Sequence, residues 1–498
     1  MTEIIRIRAS DGSLVEFENE VRASGGMKDV YFSPDRTYVV AFFRERADQA
    51  VRERLQVITG SYREKIFGQE GGDSLRKLYC WPTAMVEHQG RLGVVTPFYD
   101  RDFFFTHGAR NDDMLGIRGK EKDGKWFASA SNRNKFLDPR ELGDYRSHLQ
   151  LCLMIARAVR RMHAAGLAHS DLSYRNVLVD PVHGRACMID IDGLVVPGKF
   201  PPEVVGTPDF IAPEVVMTSW LDRKDPARKL PSRTTDQHAL AVLVYMYLFY
   251  RHPLRGDKVH DVDPVKDEEM SMGSGALWIE NPTDPSNRVD PGQVRSSELP
   301  WKDTTRLPFT VAGPYLSDLF RRAFVEGLHA PMARPSADEW EAGLVRTIDL
   351  LQPCQNPGCA QKWYVFDNRM QPRCPFCGTP FRGELPVLNF YSSQEEGRFR
   401  PDNHRLMVYS NQSLFQWHSN RNVFPNERIQ PDQARRVGYF VQHQGAWYLV
   451  NEGLPDLMDV ASKTSIPVGE KIQLLDGAQL LLSREPGGRL AHVQLVRA

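Results

Sequence analysis

The stretch His169-Ser170-Asp171-Leu172-Ser173-Tyr174-Arg175-Asn176 decides how this 498-residue chain is read. A carboxylate, Asp171, stands five residues ahead of a carboxamide, Asn176. On its N-terminal side Leu149, Leu153, Ile155, Ala156, Val159 and Met162 recur at helical spacing, which predicts an amphipathic helix from Asp144 to Ala165. On its C-terminal side come Met188-Ile189-Asp190-Ile191-Asp192-Gly193-Leu194 and then Gly206-Thr207-Pro208-Asp209-Phe210-Ile211-Ala212-Pro213-Glu214. A single Asp or Asn is most often a solvated turn residue. Three such motifs in order supply what phosphoryl transfer asks of a protein. Asp171 can orient a hydroxyl and take its proton, Asn176 can hold a metal ion from the same loop, and Asp190 or Asp192 offers the second carboxylate.

These motifs resemble those of the eukaryotic-like protein kinase family. HSDLSYRN resembles the HRD-x-x-x-x-N loop, DIDG resembles DFG, and GTPDFIAPE resembles the end of the activation segment. TTDQHALAVLVYMYLFYRHPL resembles the buried helix whose first Asp, here Asp236, braces the catalytic loop. RRAFVEGLHAPMARPSADEW resembles the last subdomain, in which Arg334 would pair with Glu214. The similarity runs over about residues 20–350 and is densest over 160–250. It implies a bilobal kinase fold of α+β class, ATP and Mg²⁺ as cofactors, and a protein substrate. It implies Asp171, Asn176 and Asp190 as catalytic residues, the last two holding Mg²⁺, with Asp192 as a further carboxylate beside the nucleotide. His169, Thr207, Glu214, Asp236 and Arg334 would support the loop and activation segment, Thr207 by a hydrogen bond to Asp171.

The chain departs from the family at several places. Ser170 replaces the Arg that receives an activation-segment phosphate, so activation is expected to need no such phosphate. Asp192 replaces the DFG glycine. Ser173 stands where Ser/Thr kinases have Lys, and Arg175 where tyrosine kinases have Arg, yet GTPDFIAPE is of the Ser/Thr type. The strand Tyr38-Val39-Val40-Ala41-Phe42-Phe43-Arg44 carries Phe43 at the position of the phosphate-binding lysine. A turn upstream, ASGGMKDVYF, resembles a glycine-rich loop, where Gly25 and Gly26 would let backbone approach phosphate. Lys28 falls where the last loop glycine would be, as in the with-no-lysine kinases, and is the expected phosphate ligand; Arg44 is the rival if the strand register slips. Glu53 and Glu64 both lie on the candidate helix from Glu45 to Phe67, and neither stands out as the lysine's usual carboxylate partner.

Beyond the kinase-like region, Cys354-x4-Cys359 and Cys374-x2-Cys377 form two thiolate pairs about 15 residues apart, a spacing that closes a tetrahedral, structural Zn²⁺ site. The remaining residues, 384–498, alternate as short strands and resemble a forkhead-associated (FHA) β-sandwich, with Asp476-Gly477-Ala478-Gln479 as its Gly-Asp-type turn. Ala434 and Val437 occupy the positions of the usual phosphate-reading Ser and His, which leaves Arg435 and Arg436 as anion contacts. The expected domains are residues 1–100 (N-lobe), 101–352 (C-lobe with insertions), 353–383 (zinc ribbon) and 384–498 (FHA-like). This order resembles bacterial kinases that act beside a PPM-type phosphatase and a von Willebrand A-domain protein.

Composition agrees with a multidomain globular chain: 41% of residues are hydrophobic, enough to fill several cores. Lys plus Arg and Asp plus Glu are equal at 63 each, so no global field holds nucleic acid or an acidic membrane, and neither is expected as a partner. The N-terminal stretch is charged and alternating and reads as strands rather than a signal peptide; Ala239 to Tyr250 is too short to span a bilayer. Seven cysteines, four of them in the metal-like cluster, suit a reducing cytoplasm.

Overall fold

The computed structural model describes residues 3–24, 27–196, 199–200, 206–222, 224–367, 371–395 and 397–497, so Gly25 and Gly26 lie outside the described residues. The chain divides into two compact units, described in turn. The first comprises Met1–Gly143, Leu151–Thr304 and Phe320–Glu341.

It begins with a hairpin of β1 (Ile4–Arg8) and β2 (Leu14–Glu18). Then comes an antiparallel sheet of β3 (Ala23–Ser24), β4 (Lys28–Phe32), β5 (Tyr38–Phe43), β6 (Ala84–His88) and β7 (Arg91–Pro97), in the order β3-β4-β5-β7-β6. Side chains alternate between the two faces of a strand, and β5 uses both. Val40 and Phe42 pack with Val86, Val95 and the hairpin residues Val15 and Phe17. Ala41 and Phe43 turn the other way and cluster with Leu92, Val94 and Leu55. Each large side chain so buried contributes about 1.5–3 kcal/mol.

Leu55 comes from the helical segment expected at 45–67. That segment starts later, at α1 (Gln49–Val57), because Asp48 caps it by accepting from the Val51 N–H at 2.8 Å. It passes through a π turn, Ile58–Tyr62, into α2 (Arg63–Phe67); the indole of Trp81 donates to the Ile58 carbonyl at 3.0 Å.

The helical half is built on α3 (Tyr145–Ala164) and α4 (Arg233–Phe249), with the hairpin β8 (Val177–Asp180) and β9 (Arg185–Met188) between them. From Ala239 to Phe249 α4 is buried at every residue, as its unbroken apolar run demands. The ring of Tyr245 meets Phe249, Phe320 and Phe324 at centroid distances of 4.7, 5.3 and 5.7 Å. The stretch from Pro253 to Pro308 contains α5 (Pro264–Met272), started by Asp263 accepting from the Val265 N–H at 2.9 Å. Among the described residues no helix is long and apolar enough to cross a membrane.

The second unit comprises Asp144–Gln150, Thr305–Leu319 and Ala342–Ala498. After the helix Ala337–Ile348, Leu351–Pro353 is a strand (β10) paired with Trp363–Val365 (β11). The C-terminal strands are β12 (Glu384–Glu395), β13 (Arg398–Met407), β14 (Ser413–Phe415), β15 (Arg436–His443), β16 (Ala446–Asn451), β17 (Met458–Asp459), β18 (Thr464–Ser465), β19 (Lys471–Gln473), β20 (Gln479–Leu481) and β21 (Arg489–Arg497). They form a six-stranded sheet, β13-β12-β21-β20-β17-β18, and a four-stranded sheet, β14-β15-β16-β19. The two sheets share one apolar core, Leu388, Phe390, Leu480 and Val493 from the first and Leu414, Phe440 and Leu449 from the second.

Candidate active site

Asp236 sits in the first turn of α4, where the helix dipole favours a negative charge. Its carboxylate accepts the backbone N–H groups of His169 (2.7 Å) and Ser170 (3.2 Å) and meets His163 Nε2 at 3.1 Å. This grip holds Ser170 at φ +67°, a left-handed conformation that costs a non-glycine residue, and so turns the chain sharply just before Asp171.

Asp171 is then fixed by three donors. Its Oδ1 accepts from the Thr207 N–H at 2.7 Å and the Thr207 hydroxyl at 2.8 Å, and its Oδ2 accepts from Asn176 Nδ2 at 2.9 Å. Asn176 Nδ2 also donates to the Asp171 carbonyl at 2.8 Å, which leaves the Asn176 side-chain oxygen as the atom able to face a cation. Two links hold the next motif beside this loop. The Ile189 N–H donates to the Asn176 carbonyl at 3.0 Å, and His169 Nε2 lies 3.1 Å from the Ile189 carbonyl. Asp190 follows at φ +59°.

Behind the loop, the Glu214 carboxylate receives two bonds from Arg334, at 2.8 and 2.7 Å. The same guanidinium donates to the carbonyls of Thr234, Gly327 and Leu328, at 2.9, 2.8 and 3.0 Å, which satisfies all five of its N–H groups in a site only 4% exposed.

Between the sheet and this loop lies a cavity of about 390 Å³. Val39 and Ala41 of β5, Lys28 of β4, Asn176, Asp190 and Asp192 are among its lining residues. Lys28 stands directly across the β4–β5 ladder from Phe43, the position at which the family carries its lysine. Its ammonium lies 5.1 Å from the Phe43 ring centroid, 3.6 Å from Asp190 Oδ1, and in an ion pair with Asp192. Arg44, the rival, is turned elsewhere: it pairs with Asp29 at 2.9 Å and also reaches Ser24. Among the described residues neither Glu53, bonded to Gln49, nor the exposed Glu64 pairs with Lys28.

The electrostatics favour added positive charge. Burial and the neighbouring Asp192 carboxylate raise Asp190 above the ordinary carboxylate range, and Lys28 offsets only part of this. Burial acts to lower the Lys28 pKa, but the Asp192 and Asp190 charges outweigh it and hold the ammonium above its usual value. Two carboxylates sharing one ammonium, Asp192 buried and Asp190 exposed, with an amide oxygen beside them, form a donor set that suits a hard divalent cation.

The sequence therefore marked residues that come together: Asp171, Asn176, Asp190, Asp192, His169 and Thr207 on one side, and Lys28 of β4 on the other. It did not mark the cavity's apolar wall. Phe98, Tyr99 and Phe104 line it with Cys80, whose thiol is pushed up to about 12 by burial. The available signal was the aromatic run Phe98 to Phe105 straight after a strand. Glu121 also lines the cavity, and burial raises its pKa.

A second cluster lies in the other unit. The thiol sulfurs of Cys354, Cys359, Cys374 and Cys377 lie within 4.8 Å of one another. Cys354 and Cys377 are 3.5 Å apart, and Cys359 and Cys374 are 3.9 Å apart. Disulfide sulfurs sit at about 2.05 Å. A tetrahedron of Zn–S bonds of about 2.3 Å has edges of about 3.8 Å, so the thiols fit such an ion.

Residues 123–296 match the family model described as the protein kinase domain, which spans the catalytic loop and both following motifs. The mixed helices and sheets around the cavity fit the α+β kinase fold. The chain is 33% identical over 106 residues to death-associated protein kinase dapk-1 of Caenorhabditis elegans, an alignment covering 21% of this chain and 7% of that protein. It is 25% identical over 158 residues to serine/threonine-protein kinase dkf-1 of Caenorhabditis briggsae, covering 30% and 18%. The chain thus spans less than a fifth of the length of these two curated relatives.

Proposed function

We propose that the chain is an ATP-dependent protein kinase of the Ser/Thr type, with the 390 Å³ cavity as its nucleotide site. The observation that carries this reading is the fixing of Asp171 by Thr207 and Asn176, while Asn176 also lines the cavity. Asp171 orients the acceptor hydroxyl and takes its proton. Lys28 contacts the phosphates, and Phe98, Tyr99 and Phe104 offer an apolar wall to the base. Bound Mg²⁺ supplies the charge that neutralises the phosphate oxygens, and Asn176 and Asp190 are the residues that would hold it. Support for Ser/Thr preference comes from the Thr207–Asp171 bond, from the GTPDFIAPE segment, and from the similarity to serine/threonine-protein kinase dkf-1.

In the second unit, the four cysteines are read as a structural zinc site, the ion tying two short loops that have little core of their own. The two-sheet region is read as an FHA-like protein-interaction domain. Arg436 spends its guanidinium on Glu452, at 2.6 and 2.7 Å, so of the two candidate anion contacts the exposed Arg435 is the better placed. A bacterial source and action beside a PPM-type phosphatase and a von Willebrand A-domain protein rest on the motif resemblance, and a cytoplasmic setting on the cysteine usage.

The test is incubation with Mg²⁺ and γ-labelled ATP, followed by phosphoamino-acid analysis. Label on serine or threonine of the chain or of an added protein is expected. Label on small molecules alone, or on none, would reject the reading.

A further inference from the structure

We propose that Asp192 is the positioning residue for Lys28, so that the ion pair kinases form between a strand lysine and a helix glutamate is here moved to the turn after Asp190. This rests on the reading of Lys28 as the phosphate contact.

The usual place of that ion pair is taken by an apolar contact. Phe43 occupies the strand position and packs in one cluster with Leu55 and Val51 of α1. A greasy contact of this kind has no charge to switch. The carboxylates of the helical segment are occupied elsewhere or exposed: Glu53 is bonded to Gln49, and Glu64 is exposed.

The ammonium therefore finds its anion across the cavity, and burial decides which of two aspartates holds it. The Asp192 side chain is 9% exposed and the Asp190 side chain 54%. Asp192 makes the closer contact, with Asp190 Oδ1 at 3.6 Å. Among the described residues Asp192 has no other hydrogen bond or ion pair. A buried carboxylate with a single partner is costly to strip, so the pair persists, whereas the more exposed Asp190 stays accessible to a cation. Lys28 belongs to β4 and Asp192 to the turn Ile191–Gly193 that follows β9. Positioning of the lysine thus depends on closure of the sheet against that turn, not on the orientation of α1.

The experiment compares Lys28→Met, Asp192→Asn, their double variant and Asp190→Asn in the full chain. Two readouts serve: steady-state kinetics with ATP and Mg²⁺ titrated separately, and thermal melting of the protein as purified, without added nucleotide or Mg²⁺. Asp192→Asn is expected to copy Lys28→Met, raising KM for ATP about tenfold or more with the half-saturating Mg²⁺ concentration unchanged. The double variant is expected to be no worse than Lys28→Met in KM, and its melting shift no larger than that of one single variant. Asp190→Asn should instead lower kcat and alter the Mg²⁺ requirement. Asp192→Gly serves as the second variant should Asp192→Asn fold poorly. A KM unchanged or lowered in Asp192→Asn, or a changed Mg²⁺ requirement with constant KM, overturns the inference while Lys28→Met still raises KM. An unchanged KM in Lys28→Met removes the reading of Lys28 and the inference with it.

Discussion

Moving the ammonium from position 28 to position 43 should restore much of what its loss removes. Lys28 and Phe43 are Cα partners across the β4–β5 ladder, so their side chains leave the sheet on the same face. The Lys28 ammonium ends 5.1 Å from the Phe43 ring centroid, a gap that the longer side chain of a lysine at position 43 can bridge. Lys28→Met removes one charge-assisted contact to phosphate, worth about 1.5–3 kcal/mol, so KM for ATP should rise roughly ten- to hundredfold. Phe43→Lys in that background returns the charge. Its cost is to stability, since Phe43 is 8% exposed within its cluster and truncating such a ring costs about 3 kcal/mol, partly recovered by the lysine stem. Initial rates over an ATP titration, with melting curves alongside, should place the double variant within about tenfold of the parent KM at a lower melting temperature. The reasoning fails if Lys28→Met keeps its KM within a factor of two, or if a folded double variant binds ATP no better than the single one.

Other perturbations read out separate parts of the account. Thr207→Val deletes the hydroxyl donor to Asp171 but keeps the backbone one, so kcat should fall about tenfold with little change in KM for ATP; a parallel rise in KM would contradict a role confined to Asp171. Purified chain should carry one zinc by elemental analysis, and Cys374→Ser should lose it; a metal-free chain with an unchanged melt would reject the site. His252 is held neutral, because burial lowers its pKa to about 4 and its Nδ1 accepts from the Leu254 N–H at 3.1 Å. The unfolded chain binds the proton near the ordinary pH of about 6.5, so this contribution to stability is full above that value and declines toward pH 4, by about 3 kcal/mol at most. Urea midpoints should fall over that range, and more shallowly in His252→Asn; equal slopes would count against the assignment.

Much of the catalytic loop was legible because its parts are close in sequence. Asp171 and Asn176 share one loop, Asp190 follows within one hairpin, and the roles proposed for them come from the order of the motifs. Lys28 was legible only indirectly, through the phenylalanine at position 43. Its anion was not, because Asp192 meets Lys28 only when the sheet folds over the helical half, and no local pattern encodes that closure. The apolar wall of Phe98, Tyr99 and Phe104 was missed for a related reason: an aromatic run after a strand reads equally well as core. In the second unit, alternation revealed strands, but the order β13-β12-β21-β20-β17-β18 depends on long-range pairing that periodicity does not carry. The clustering of the four cysteines was legible because their paired spacing is itself the signal.

The account turns on Asp171. The most direct measurement is transfer of label from γ-labelled ATP by the parent chain and by Asp171→Ala, each first shown to melt later in Mg-ADP than without it. The account predicts label on serine or threonine with the parent and a loss of at least about a hundredfold in the variant. Transfer that persists in Asp171→Ala, or a parent chain that binds nucleotide and labels no protein acceptor, would contradict it.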